Sequence, residues 1–148
     1  MVGVVVVSHL NLGKELVSTA ERIIGPLKAV ESISIGLGDS SDMIREKIAE
    51  AIARVEAGQG VVVLTDTFGG SATNVALPFL AEGKVEILTG MNLPMMIKLS
   101  AVDRHMPLDA LCRELRDYGQ RNISLATEIL SARRSQKKKK EEPEGGGQ

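Results

Sequence analysis

The run Gly3-Val4-Val5-Val6-Val7, ending in Ser8-His9, restricts the fold more than any other stretch of the chain. Four consecutive branched residues favour an extended backbone. An apolar run without polar alternation belongs to a strand covered on both faces, as in a parallel sheet flanked by helices. Leu10, Leu12, Leu16, Val17, Ala20, Ile23 and Ile24 then recur at helical spacing until Gly25-Pro26 stops them. His9 therefore stands where a buried strand hands over to a helix, the edge at which open α/β sheets bind ligands.

The same unit recurs along the chain. Val30–Ile35 alternates polar with apolar, which predicts a strand with one exposed face or at a sheet edge, beside the valine strand. Residues 36–42 are loop chemistry with several N-cap candidates, and Met43, Ile44, Ile48, Ala51, Ile52 and Val55 form a helical stripe ended by Gly58. Gly60-Val61-Val62-Val63-Leu64-Thr65-Asp66 repeats the opening pattern and brings a second polar strand end to the same rim. In the turn Thr67-Phe68-Gly69-Gly70-Ser71, the paired glycines admit close approach of a ligand. Ser71 is a candidate cap for a helix over 72–81 that Pro78 kinks or shortens.

Residues 84–90 predict an outer strand, and Asn92-Leu93-Pro94 a cap and first turn of a helix carrying Met95, Met96 and Leu99. Pro107 opens another helix, with Leu108, Leu111, Cys112, Leu115 and Tyr118 on one face and Gly119 as its stop. Residues 122–130 admit either a helix or an extended arm. Four strands alternating with helices predict a doubly wound α/β domain: a parallel sheet of about four strands with helices on both faces. The domain is expected over residues 1–132. The Lys/Glu/Gly-rich segment 133–148, which has almost nothing to bury, is expected to be a disordered, flexible C-terminal tail.

Charge and composition exclude several function classes. From Arg133 onward six basic and three acidic residues give +3, leaving twelve basic and sixteen acidic residues in the body, −4. An acidic body with 2% aromatic residues and no Trp lacks both the basic surface and the stacking platforms of a nucleic-acid binder. One cysteine, Cys112, excludes an internal disulfide, and its leucine neighbours mark it as a small core residue in a reduced compartment. No apolar run approaches the ~20 residues needed to span a membrane, and the valine run lacks the flanks of a signal peptide. A cytoplasmic location is expected.

Three polar elements converge on one rim: Ser8-His9, Thr65-Asp66-Thr67 and Gly69-Gly70-Ser71. A neutral imidazole is a competent nucleophile towards phosphorus when one ring nitrogen holds the proton and the other presents its lone pair. A carboxylate that accepts the Nδ1 proton fixes that tautomer and stabilises the ring as it becomes positive, which makes Asp66 the candidate orienting group. The phosphoryl group then lies near helix N-termini and backbone N–H groups, with no metal and no cofactor required. Each residue alone also has a structural reading: a satisfied histidine at a strand end, a turn or capping aspartate, a glycine pair in a loop. His105, after Asp103-Arg104 in a polar stretch between two helices, reads as part of a solvated loop.

Val-Val-Val-Ser-His-Leu-Asn-Leu-Gly-Lys-Glu-Leu, Thr-Asp-Thr-Phe-Gly-Gly-Ser-Ala-Thr-Asn-Val-Ala and Thr-Gly-Met-Asn-Leu-Pro-Met, in this order, resemble the IIA component of the mannose family of the bacterial sugar phosphotransferase system. The likeness covers about residues 1–130, and it is the joint pattern that is specific. It implies a homodimeric phosphotransferase domain that takes a phosphoryl group from the phosphocarrier HPr onto a histidine and passes it to a IIB partner. That partner phosphorylates sugar entering through a membrane permease, so contact with the membrane is indirect. The family's phosphorylated histidine falls on His9 and its orienting aspartate on Asp66. The hydroxyl and glycine turn beside the phosphate fall on Thr67, Gly69, Gly70 and Ser71, and Asn92 is a candidate rim contact.

Some relatives continue into a IIB domain. Here a charged tail follows instead, so transfer to a separate IIB protein is expected. Three alternatives stand beside this reading. One is a free-standing regulatory IIA whose phosphorylation state reports carbon supply to a regulatory target. Another is the phosphoryl carrier of a dihydroxyacetone kinase system, although the Asp-Thr-Phe-Gly-Gly-Ser turn favours the mannose type. The third is a flavodoxin-like module for a nucleotide or flavin, opposed by the absence of Gly-x-Gly-x-x-Gly and Walker A motifs and of aromatic residues placed to stack on a ring.

Overall fold

The two valine-rich segments lie side by side at the centre of one sheet in the computed structural model, which describes residues 1–141. The strands β1 (Gly3–His9), β2 (Val30–Ile35), β3 (Val61–Thr65) and β4 (Val85–Thr89) are ordered β2-β1-β3-β4, and every neighbouring pair is parallel. Among the described residues six α-helices accompany them: α1 (Leu12–Ile24), α2 (Ser41–Val55), α3 (Ser71–Ala76), α4 (Leu93–Lys98), α5 (Leu108–Arg121) and α6 (Ala126–Glu141). This is the doubly wound α/β architecture expected from the sequence, with β2 flanking β1 and β4 at the edge.

Side chains alternate across the sheet, so the valine runs serve two cores at once. Val4, Val6, Val62 and Leu64 pack with Ala20 of α1, Met95 and Met96 of α4, and Leu111 and Leu115 of α5. Val5, Val7, Val61 and Val63 pack on the other face with Ile44, Ile48 and Ala51 of α2 and Ala72, Val75 and Ala76 of α3. All eight strand residues are fully buried. Each is worth about 1.5–3 kcal/mol of apolar transfer as an upper estimate, which makes the carboxyl ends of β1 and β3 firm platforms. Cys112 joins the first core at 7% exposure, and burial, reinforced by the Glu86 and Asp109 charges, pushes its thiol up to about 12.

Pro78 shortens its helix as expected: α3 stops at Ala76 and a 3-10 turn, Leu77–Phe79, follows. Ser71 does not cap α3; the helix begins at Ser71 itself and the preceding Gly70 occupies the cap position with no side-chain bond. Nor does Gly119 stop α5, which continues to Arg121 with Gly119 buried inside it. A Cβ on Gly119 would stand 2.8 Å from Met95 Cε and 3.3 Å from Asn92 Oδ1, so the glycine serves the close approach of α4 to α5.

The polar stretch before α5 is also more than a loop. Arg104 is 7% exposed and donates to the carbonyl oxygens of Val2, Lys28 and Ala29, tying together the chain just before β1 and β2. Its neighbour His105 is exposed.

Of the two readings open for residues 122–130, the helix is found: α6 begins at Ala126. It runs through the proposed boundary at 132 without a break, so the expectation of disorder from 133 is corrected as far as Glu141. Ala, Leu, Glu, Gln, Arg and Lys are all strong helix formers, and their propensity sustains a helix that buries no side chain. Residues 142–148, the remainder of that expected tail, lie outside the described residues.

Candidate functional site

The chain leaves β1 towards β2 on one side and β3 towards β4 on the other, so the crevice between the carboxyl ends of β1 and β3 is the topological switch point of the sheet. Val7 pairs with Thr65 at the end of the ladder, so the next residues on each strand, Ser8-His9 and Asp66, emerge together. Ser8 is fully buried, and its Oγ accepts the Gly13 N–H at 2.7 Å, fixing the start of α1. Leu10 turns the chain with φ 49° and donates from its N–H to the Ile35 carbonyl at 2.8 Å. His9 is thereby held at the rim with 46% of its side chain exposed, against 9% for Asp66.

Asp66 Oδ2 lies 2.8 Å from His9 Nδ1 and 2.8 Å from the His9 backbone nitrogen, while Oδ1 accepts the Thr67 N–H at 2.8 Å. Burial alone would raise the Asp66 carboxyl. The His9 backbone and ring and the Thr67 N–H outweigh it and hold the pKa below the ordinary value of 3.8. An ionised carboxylate only accepts, so the proton of the bond lies on Nδ1, and in the neutral ring it is Nε2 that presents the lone pair. That is the protonation state in which an imidazole attacks an electrophile.

The turn after Asp66 frames the ring. Gly70 lies against it: a Cβ there would stand 3.1 Å from His9 Cε1 and 3.1 Å from Thr67 Cγ2. Gly69 takes φ 79°, the left-handed region that a side chain disfavours. Ser71 opens α3 and shares with His9 a cleft of about 460 Å³ whose walls include Leu10, Ile35, Ile44 and Val75. Leu10, Leu12, Leu37, Met43 and Phe68 are exposed apolar residues of the β1–α1, β2–α2 and β3–α3 segments that meet at this rim.

Asn92 is engaged elsewhere. Its Oδ1 caps α4 by accepting the Met95 N–H at 3.1 Å, and its Nδ2 donates to the Gly119 carbonyl at 3.0 Å. A larger hollow of about 560 Å³, bordered by Gln59, Glu82, His105 and Asp109, opens at the amino ends of β3 and β4, away from this rim. Among the described residues no group of three or more His, Cys, Asp or Glu is placed to hold a metal ion. The residue that sequence reasoning missed is Thr73, buried in α3, whose hydroxyl donates to the Thr67 carbonyl at 2.6 Å.

Known proteins resemble this chain in sequence and in fold. The family model for the PTS (phosphotransferase system) fructose IIA component matches residues 3–115. The chain is similar to the fructose-specific EIIA component of Bacillus subtilis, at 24% identity over 88% of the chain and 90% of that protein. It is 27% identical to the mannose-specific EIIAB component of Escherichia coli over 82% of its own length, spanning 38% of that longer relative. Among solved structures, the PTS IIA protein associated with the fucose utilization operon of Streptococcus pneumoniae superposes with a TM-score of 0.75 at 28% identity, covering 86% of this chain and 95% of that one. No helix among the described residues is long and apolar enough to cross a membrane. With all four strands and the Asp66 turn inside the matched residues, the chain belongs to the mannose/fructose family of phosphotransferase-system IIA components.

Proposed function

We propose that this IIA component accepts a phosphoryl group from phosphorylated HPr on His9 and passes it to a separate IIB partner during sugar uptake. The observation that carries the reading is the bond between Asp66 Oδ2 and His9 Nδ1, which leaves Nε2 free as the nucleophile. The Nε2 lone pair attacks phosphorus, the new N–P bond forms and the donor's bond to phosphorus breaks. The Nδ1 proton stays in place against the carboxylate, which offsets the positive charge of the phosphorylated ring. In the return step the acceptor attacks phosphorus and the Nε2–P electrons go back to the ring. Thr67, Gly69, Gly70 and Ser71 border the transferred group, where the leading N–H groups of α3 and the Ser71 hydroxyl can donate hydrogen bonds to its anionic oxygens.

The exposed Leu10, Leu12, Leu37, Met43 and Phe68 supply an apolar collar for protein partners and exclude water when one docks. In this reading the protein works in the cytoplasm as a homodimer and meets the membrane only through the permease its IIB partner serves. Incubation with phosphoenolpyruvate, enzyme I and HPr is expected to add one phosphate, stable in base and lost in acid, without a divalent metal bound by this domain. His9→Ala should abolish it. Label retained by His9→Ala, or label that survives acid as a phosphoserine does, would overturn the proposal.

A further inference from the structure

Thr73 is fully buried, yet its hydroxyl is bonded on two sides. Thr73 Oγ1 lies 2.6 Å from the Thr67 carbonyl oxygen and 2.8 Å from Thr65 Oγ1. A hydroxyl has one proton to give, and a carbonyl only accepts. Thr73 therefore donates to Thr67, and Thr65 donates to Thr73. A directed chain of hydrogen bonds runs from the last residue of β3, through the first turn of α3, to the backbone of the turn that joins them.

Thr67 is also the residue whose N–H holds Asp66 Oδ1, while Asp66 Oδ2 holds the backbone and ring nitrogens of His9. Few other features anchor this turn. Phe68 is 75% exposed, Gly69 meets nothing within 4 Å of a virtual Cβ, and Gly70 rests on the imidazole and the Thr67 methyl.

We infer that Thr73 is a positioning residue for the His9–Asp66 pair, acting through the Thr67 peptide and touching neither side chain. The inference rests on the reading of His9 as phosphoryl acceptor, and it deepens that reading. By fixing the Thr67 carbonyl, Thr73 restrains the Thr67 backbone, whose N–H on the preceding peptide holds Asp66 Oδ1, and through that carboxylate it restrains the tautomer of the ring. Without the hydroxyl, the buried Thr65 hydroxyl loses its partner and the Thr67 carbonyl, which belongs to an exposed residue, is released to turn towards water, so the turn relaxes. The carboxylate then spreads over more orientations, and a larger share of His9 carries its proton on Nε2, where it blocks attack.

Thr73→Val keeps the shape and removes the donor; Thr73→Ser keeps the donor. The test combines nitrogen NMR of the His9 ring with the rate of transfer from phosphorylated HPr, both well below the melting temperature. Wild type is expected to show the Nδ1–H tautomer. Thr73→Val should show a mixed tautomer and transfer slowed about tenfold or more, whereas Thr73→Ser should stay within about threefold of wild type. Thr73→Ala, free of any fit problem for a branched side chain, should reproduce the valine result and stands in for it if Thr73→Val does not fold. A lowered melting temperature with unchanged tautomer and rate would show that the hydroxyl only satisfies Thr65 and would overturn the inference. If wild-type His9 takes up no phosphate, the phosphocarrier reading fails, and the tautomer spectra alone still decide whether Thr73 positions the pair.

Discussion

Asp66 Oδ2 stands at 2.8 Å from both the backbone nitrogen and the ring Nδ1 of His9. One oxygen thus links the ends of two strands and chooses the imidazole tautomer, so any displacement of the strand ends moves ring and carboxylate together. Asp66→Asn preserves the shape but presents a neutral amide that can hold the ring in the wrong tautomer. We expect native circular dichroism with phosphoryl transfer slowed by ~10²-fold or more. Transfer at the wild-type rate would remove Asp66 from the mechanism.

The same carboxylate predicts an acid response. Its folded-state pKa lies below the ordinary 3.8, because the contacts from His9 and Thr67 outweigh the opposing effect of burial. A group depressed in this way contributes stability that is complete above the unfolded value and lost as pH falls through the folded one. The difference in melting temperature between wild type and Asp66→Asn, measured from pH 7 to pH 3, should therefore begin to shrink as pH falls below about 4. A difference that stays constant, or grows, at low pH contradicts the assignment.

Gly69 and Gly70 make separable predictions. At Gly70 an added methyl meets His9 Cε1 and Thr67 Cγ2 at 3.1 Å each, so Gly70→Ala should tilt the ring and slow transfer with little loss of stability. At Gly69 the space is open but φ is 79°, so Gly69→Ala should cost about 1–2 kcal/mol of backbone strain. Thermal melts and transfer rates of the two variants, measured side by side, check this. Equal effects of both variants on both measurements would show that the turn does not discriminate between its glycines.

What could be read from the sequence follows from which residues carry their meaning locally. Val4 to Val7 and Val61 to Leu64 are apolar on both faces, and only a covered central strand suits them, so the sheet and the meeting of His9 with Asp66 were legible. Thr73 was not: a threonine in a short helix reads as packing, and its partners Thr65 and Thr67 face it only once the intervening turn is folded. Gly119 misleads because a glycine near a helix end usually stops it, whereas this one admits Met95 and Asn92 from another helix. Arg104 misleads because its neighbours are polar, while three backbone carbonyls contributed from residues far along the chain supply its acceptors. For residues 133–141, composition argues correctly that nothing is buried, but helix formation there rests on backbone propensity.

The last element carries its own prediction. Ile123, Leu125, Ile129 and Leu130 are 77%, 62%, 42% and 50% exposed, and α6 buries none of its side chains within the chain. Ile129 and Leu130 lie in the first turns of α6, whereas the lysines from Lys137 to Lys140 occupy its far end. If a second copy covers the apolar part, as the proposed homodimer requires, the two halves of the helix separate in their effects. Removal of residues 135–148 should leave the melting temperature, the mass in solution and the phosphorylation of His9 unchanged. Ile129→Glu combined with Leu130→Glu should instead shift light scattering from near twice 15.8 kDa towards 15.8 kDa at micromolar concentration. A wild-type protein already at 15.8 kDa under those conditions would refute the dimer, and a loss of several degrees on truncation would show that the basic end packs.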